Sequence, residues 1–146
     1  MSIFQNLLVA YDGSAYSKKA LEKAAEFVEA DQRIQVHVIH VMNPPHKNLY
    51  SLYGLNMSQQ IIEEIEEINK KTLEEAEQLV KGNKRNFQFI RLQGDASEEI
   101  IDYATEHGVD LIIIGSRGLG AVKGMLLGSV SYRVVQYAEC HVLIIK

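Results

Sequence analysis

The chain has 146 residues, 47% of them hydrophobic and 23% charged, with a formal net charge of -4. That length suits one domain burying roughly 68–70% of its unfolded surface, and the acidic balance argues against nucleic-acid or anionic-membrane binding, which wants a basic face. The single cysteine, Cys140, excludes an internal disulfide or a cysteine-rich metal site, and neither a bilayer-length apolar run nor a basic leader is present, so a cytoplasmic protein with no membrane partner is expected.

Residues 3–10 are apolar and run into Tyr11-Asp12-Gly13-Ser14, a turn signal, so the first element reads as a buried strand. Residues 17–30 carry Ala20, Leu21, Ala24, Ala25, Phe27 and Val28 at helical spacing. Residues 34–41 are a second strand, rich in β-branched side chains and closed by Asn43-Pro44-Pro45. Residues 43–57 show no period, and a connection that long is more often a functional loop or lid than filler. With Tyr50, Tyr53 and Met57, it could order over a site and change the surface shown to a partner.

The spacing predicts a helix over 58–81, with Ile61, Ile62, Ile65, Ile68, Leu73, Ala76, Leu79 and Val80 on one face and glutamates outward. Gly82-Asn83 ends it, and residues 87–93 form a third strand. Ser97 is expected to cap a short helix reaching His107, with Glu98 and Glu99 in its first turn. Residues 109–114 are a fourth strand, 128–138 the last helix and 141–145 a fifth strand. Such alternation demands an α/β fold, a single-domain open parallel sheet with helices on both faces.

In such a sheet a ligand binds beyond the carboxyl ends of the strands, where the strand order reverses. Two junctions are equipped for that position. The first strand delivers Ala10-Tyr11-Asp12; the fourth delivers Ile114-Gly115-Ser116-Arg117-Gly118, nine residues, then Gly128-Ser129-Val130-Ser131. Glycines let a backbone approach closely, and a helix's first turn offers unpaired N–H donors, so phosphate oxygens can sit there. It is not a P-loop, since no Gly-Lys-Ser/Thr occurs. Nor is it a dinucleotide fingerprint: Gly118-Leu119-Gly120 starts one, but Lys123 stands where its third glycine should be. Two plainer readings remain open: Asp12 or Ser14 as the cap of the first helix, and Ser129 as the cap of the last.

The spacing Gly-x-x-Gly, nine residues, Gly-Ser/Thr resembles the signature of the nucleotide-binding branch of the universal stress proteins, met here by Gly115, Gly118, Gly128 and Ser129. The likeness spans residues 1–146 and takes in Asp12, His40-Val41, Gly94 and Asp110 to Gly115. The chain departs from the family at His141, where proline is common, and at Tyr11, where smaller residues are common, which bears on the shape of an adenine pocket. The resemblance implies a strand order of 3-2-1-4-5 and an ATP-binding regulatory or stress-response protein, with ADP or AMP as other ligands. It implies that Asp12 takes the ribose hydroxyls and that Val41 walls the adenine. Gly115 and Gly118 would let the main chain bend round the ligand, and Arg117 would offset phosphate charge. Gly128, Ser129, Val130 and Ser131 would give N–H groups to the phosphates, with both serine hydroxyls donating. Mg2+ or Mn2+ bridging the phosphates is a reasonable companion where so few basic residues stand.

Of the five histidines none pairs in sequence with a nucleophile or carboxylate, and His37 and His40 read as structural. No catalytic residue is nominated. Hydrolysis, if any, is expected to be slow, the alternative being a slow ATP hydrolase or another adenine-nucleotide enzyme on the same scaffold. The last strand, 141–145, is nearly all apolar and would lie at a sheet edge, where it invites pairing. The expected answer, shared with the resembling family, is a homodimer through that strand about a two-fold axis.

Overall fold

The computed structural model describes residues 3–43, 58–120 and 123–146. The predicted 43–57 loop, apart from Asn43, lies outside the described residues. Strands β1 (Asn6–Ala10), β2 (Gln35–Met42), β3 (Phe87–Gln93), β4 (Leu111–Gly115) and β5 (His141–Ile145) form one parallel sheet in the order β3-β2-β1-β4-β5. Helices α1 (Ala15–Ala30), α2 (Gln59–Leu79), α3 (Ala96–Glu106) and α4 (Ser129–Tyr137) cover its faces. This is the expected order, and it places the reversal between β1 and β4.

The strands read as continuous apolar runs because both faces are buried. Leu7 and Val9, with Val36, Val38 and Ile113, face α1 and α2. Leu8, with Ile39, Ile112 and Ile114, faces α3 and α4. Register follows the same alternation, Leu8 standing between His37 and Ile112. Among the described residues no helix is long and apolar enough to cross a membrane.

Three helices are capped by their own side chains. Ser14, Ser58 and Asp95 accept from the N–H groups of Ser17, Ile61 and Glu98 at 3.1, 3.3 and 3.1 Å. The expectation for Ser97 is therefore corrected: Asp95 is the cap, and the Ser97 hydroxyl donates to Asp95 Oδ1 at 2.7 Å. An aspartate three residues ahead of a glutamate is the stronger start signal.

The face assigned to α2 is also corrected. Ile61, Ile68 and Leu79 are 46%, 64% and 46% exposed. The inward stripe runs through Ile62, Ile65, Asn69, Thr72, Leu73 and Ala76 to Val80. A polar residue, Asn69, thus lies on the packed side of the helix.

At the start of β2, His37 Nδ1 is 2.8 Å from the Tyr103 hydroxyl, and the His107 ring stacks on Tyr103 with centroids 3.8 Å apart. Burial, then the charge of His107, holds His37 below the usual histidine range. The cluster belongs to core packing, far along the strand from the carboxyl ends.

Candidate functional site

At the carboxyl ends of β1 and β4 the structure opens a cleft of about 610 Å³, and every residue nominated from the sequence lines it. Its apolar lining comes from Ala10, Ile39 and Val41 on β1 and β2, Ile114 on β4, and Ala96 and Ile100 on α3. Its remaining lining comes from Asp12, from Gly115 at the end of β4, from Arg117 and Gly118 after it, and from Gly128, Ser129, Val130 and Ser131 at the start of α4. A cavity that combines apolar walls with donor-bearing loops suits a base joined to an anion.

The glycine-rich part of the cleft is pinned from within. The Gly128 N–H donates to the Ser116 carbonyl at 2.7 Å, and the Ser131 hydroxyl donates to the same carbonyl at 2.9 Å. The first turn of α4 is thereby tied to the end of β4 across the nine-residue excursion. Ser131 Oγ is thus committed to main-chain oxygens, Gly128 O standing 3.1 Å away. The expectation that both serine hydroxyls donate to phosphate is corrected at Ser131, whose proton goes to a main-chain oxygen; Ser129 is exposed.

Unlike the other three helices, α4 has no side-chain cap. Gly128 is its N-cap, so the N–H groups of Ser129, Val130 and Ser131 have no partner within the helix. Ser129 is the first helical residue and not the cap, which settles that alternative. Gly128 itself has φ -72°, which any residue adopts. A Cβ there would stand 3.5–3.7 Å from its nearest neighbours, in ordinary contact. Neither backbone conformation nor packing within the described residues accounts for glycine at that position; an approaching ligand would.

Gly115 is different. A Cβ on it would lie 2.6 Å from Tyr16 Cβ and 2.9 Å from the Tyr16 carbonyl carbon. Its lack of a side chain lets α1 lie against β4, a packing reason that needs no ligand. Gly118 makes room for a carboxylate: a Cβ would come within 2.6 Å of Asp12 Oδ2.

Asp12 is held by two main-chain donors, Ser14 N–H to Oδ1 at 2.9 Å and Leu119 N–H to Oδ2 at 3.1 Å. It bridges the α1 entry and the glycine loop, and each oxygen keeps lone pairs for further donors. The capping role falls to Ser14. Arg117 is half-buried, and among the described residues its Nε has no hydrogen-bond partner, an orphaned cationic donor on the wall of the cleft.

The Tyr11 ring packs in the α1–α2 core, on the sheet face opposite Val41 and Ile114. The departure at Tyr11 thus places its ring away from the face shared by Val41 and Ile114. Burial, then the nearby Glu75 and Asp12 carboxylates, raises its phenol above the usual range.

Residues that the sequence reading passed over also line the cleft: Ser14, Ser17, Ile39, Asn43, Ala96, Ile100, Leu119, Gly120 and Met125. Ile39 was within reach, since it shares a face with Val41 two residues on. Ala96 and Ile100 are one helical turn apart on α3 and needed only that face assigned.

The Universal stress protein family profile matches residues 3–146. The chain is 34% identical over 149 residues to universal stress protein YxiE of Bacillus subtilis, covering 99% of this chain and 100% of YxiE. Universal stress protein MJ0577 of Methanocaldococcus jannaschii is 32% identical over 158 residues, covering 99% of this chain and 96% of its own. The solved structure of MJ0577 aligns with a TM-score of 0.73 and 26% identity, over 99% of this chain and 97% of that one. The universal stress protein from Archaeoglobus fulgidus solved in complex with dAMP aligns at 0.67 and 24% identity, over 99% and 100%.

Proposed function

Because the chain belongs to the universal stress protein family, we propose that its cleft binds an adenine nucleotide, ATP foremost, and that the protein acts as a nucleotide-dependent regulator in the cytoplasmic stress response. The observation that carries this reading is the uncapped start of α4 behind a glycine that nothing among the described residues requires. The A. fulgidus relative, solved in complex with dAMP, is a nucleotide complex on the same architecture.

Base and ribose lie against the apolar walls, between Val41 and the β4 end, with Asp12 accepting from the ribose hydroxyls. The phosphates meet the free N–H groups of Ser129, Val130 and Ser131, the Ser129 hydroxyl and Arg117. Hydrogen bonds to a charged acceptor contribute about 1.5–3 kcal/mol each, and the helix-end field adds roughly 0.3–1. A few of these together with base burial reach micromolar affinity, about -8 kcal/mol.

Among the described residues no group of three His, Cys, Asp or Glu could hold a metal ion. A bridging Mg2+ or Mn2+ would therefore draw its ligands from phosphate oxygens and water, and would neutralise charge that Arg117 alone leaves. Mass spectrometry of ligand released from freshly purified protein, followed by calorimetry with ATP, ADP and AMP, tests the assignment. Adenine nucleotide in the released fraction and micromolar ATP binding are expected; protein that neither carries nor binds one overturns it.

We also propose a homodimer in which β5 pairs antiparallel with the same strand of a second copy. β5 ends the sheet, with Val142 to Ile145 half-exposed. An unpaired apolar edge is satisfied through a two-fold axis. Light scattering at micromolar concentration should give twice the chain mass, and a monomeric mass would refute the pairing.

A further inference from the structure

Helix α2 is long for the sheet it covers. Of its 21 residues only Ala76 is buried. The Asn69 side chain lies 2.7 Å from the His40 ring, two residues before β2 ends. Residues 59–68 extend about 15 Å past Asn69, whereas about 7 Å of β2 remains beyond His40. The first turns of α2 therefore stand clear of the sheet's carboxyl edge. Among the described residues neither core cluster takes a side chain from 59–70.

This overhang is nonetheless apolar along one line. Ile61 and Ile68, seven residues apart, share that line with Leu79, and all three are exposed. The same turns are acidic. Glu63, Glu64, Glu66 and Glu67 stand in 59–69 without a Lys, Arg or His. Lys70, the first cation, is 4.0 Å from Glu74, and among the described residues none of the four glutamates pairs with a cation. Glu63 with Glu66 and Glu67, and Glu64 with Glu67, repel at three and four residues' separation. The helix-end field that would offset them fades within the first turn. Neither the core nor the helix's own stability accounts for this combination.

We propose that this face of α2 docks a basic amphipathic helix of a partner protein. Apolar side chains one heptad apart on that helix pack on Ile61 and Ile68, as along a coiled-coil seam. Glu64, three residues after Ile61 and four before Ile68, lies beside the seam, and Glu67 stands one turn further on. They meet Lys or Arg flanking the partner's apolar line. Lys71, a turn beyond Glu67, ends the acidic stretch and sets how far the partner's cations extend. Charge selects this occupant. A second copy would set glutamate against glutamate, and an anionic membrane or nucleic acid would be repelled.

The probe is a synthetic helix of about two heptads with leucine on one face and lysine elsewhere, beside the same peptide with glutamate for lysine. Fluorescence anisotropy with the full chain should show micromolar binding of the lysine peptide, weakening as salt rises, and no binding of the glutamate peptide. Ile61→Ser with Ile68→Ser should weaken binding by about tenfold or more, the loss of two apolar contacts. Its melting temperature should stay within a few degrees of wild type, because both side chains are already exposed. Glu64→Gln with Glu67→Gln should weaken binding by a similar factor and flatten the salt dependence. Val135→Ser, which trims an exposed residue of α4, should change nothing.

Undiminished affinity in the isoleucine variant would overturn the proposal, since the lysines would then be reading charge alone. An equal loss in Val135→Ser, or no binding by wild type, would do the same. A sharply lowered melting temperature in the isoleucine variant would return these side chains to the fold. An assembled mass in light scattering that falls in that variant would give the face to a second copy instead. Co-sedimentation with anionic vesicles that falls there would give it to a membrane.

Discussion

Gly128→Val is expected to weaken ATP binding by more than about a hundredfold while leaving the chain folded. The loss corresponds to two charge-assisted hydrogen bonds at about 1.5–3 kcal/mol each, since a branched side chain at the N-cap would fill the space in front of the α4 amides. The fold should survive because φ at Gly128 is -72° and a Cβ there meets Arg117, Ser116 and Gly118 at ordinary contact distances. Exchanging glycine for a non-capping residue at an N-cap costs about 1 kcal/mol or less of helix stability. Calorimetry and thermal melting monitored by circular dichroism, run on the same preparation, separate the two effects. Unchanged affinity would mean that phosphate does not sit at this helix start. A collapsed melting transition would mean that the glycine serves the fold after all.

Much of the architecture was legible because the chain punctuates its elements: apolar runs ending in Tyr11-Asp12-Gly13-Ser14, Gly82-Asn83 and Gly115 mark where strands and helices stop. The strand order was not legible in periodicity. Parallel strands buried on both faces read alike whatever their neighbours, so adjacency of β1 and β4 came from the family resemblance. The same blindness hid which sheet face holds the cleft. Tyr11, which lines the cleft, therefore looked like part of its adenine wall when its ring lies in the α1–α2 core, while Ala96 and Ile100 on the other side went unnamed. On α2, spacing alone counted Ile61 and Ile68 as inward and passed over Asn69, because a period cannot anticipate that a buried histidine pairs with a polar side chain there. Spacing found the signature glycines without saying what each is for. That distinction needed the neighbour a side chain would meet.

Gly115→Ala is the converse case, expected to damage the fold and spare the site. The added Cβ would lie 2.6 Å from Tyr16 Cβ and 2.9 and 3.1 Å from the Tyr16 carbonyl carbon and oxygen, so α1 must move away from β4. Overpacking of this kind costs about 3 kcal/mol, and near this chain length that lowers the melting temperature by about 10 °C. The offending atoms are backbone and the first side-chain carbon, so trimming the ring should not help: Gly115→Ala with Tyr16→Ala should melt no higher than Gly115→Ala alone. Recovery in the double variant would shift the constraint to the tyrosine ring and undo the account of helix approach. Below its lowered transition the single variant should still bind ATP within a few fold of wild type, because the α4 amides, pinned by Gly128 and Ser131 to the Ser116 carbonyl, do not depend on the Tyr16 contact. Two glycines of one motif then separate cleanly, the first answering to the packing of a helix on a strand and the third to the space an anion requires.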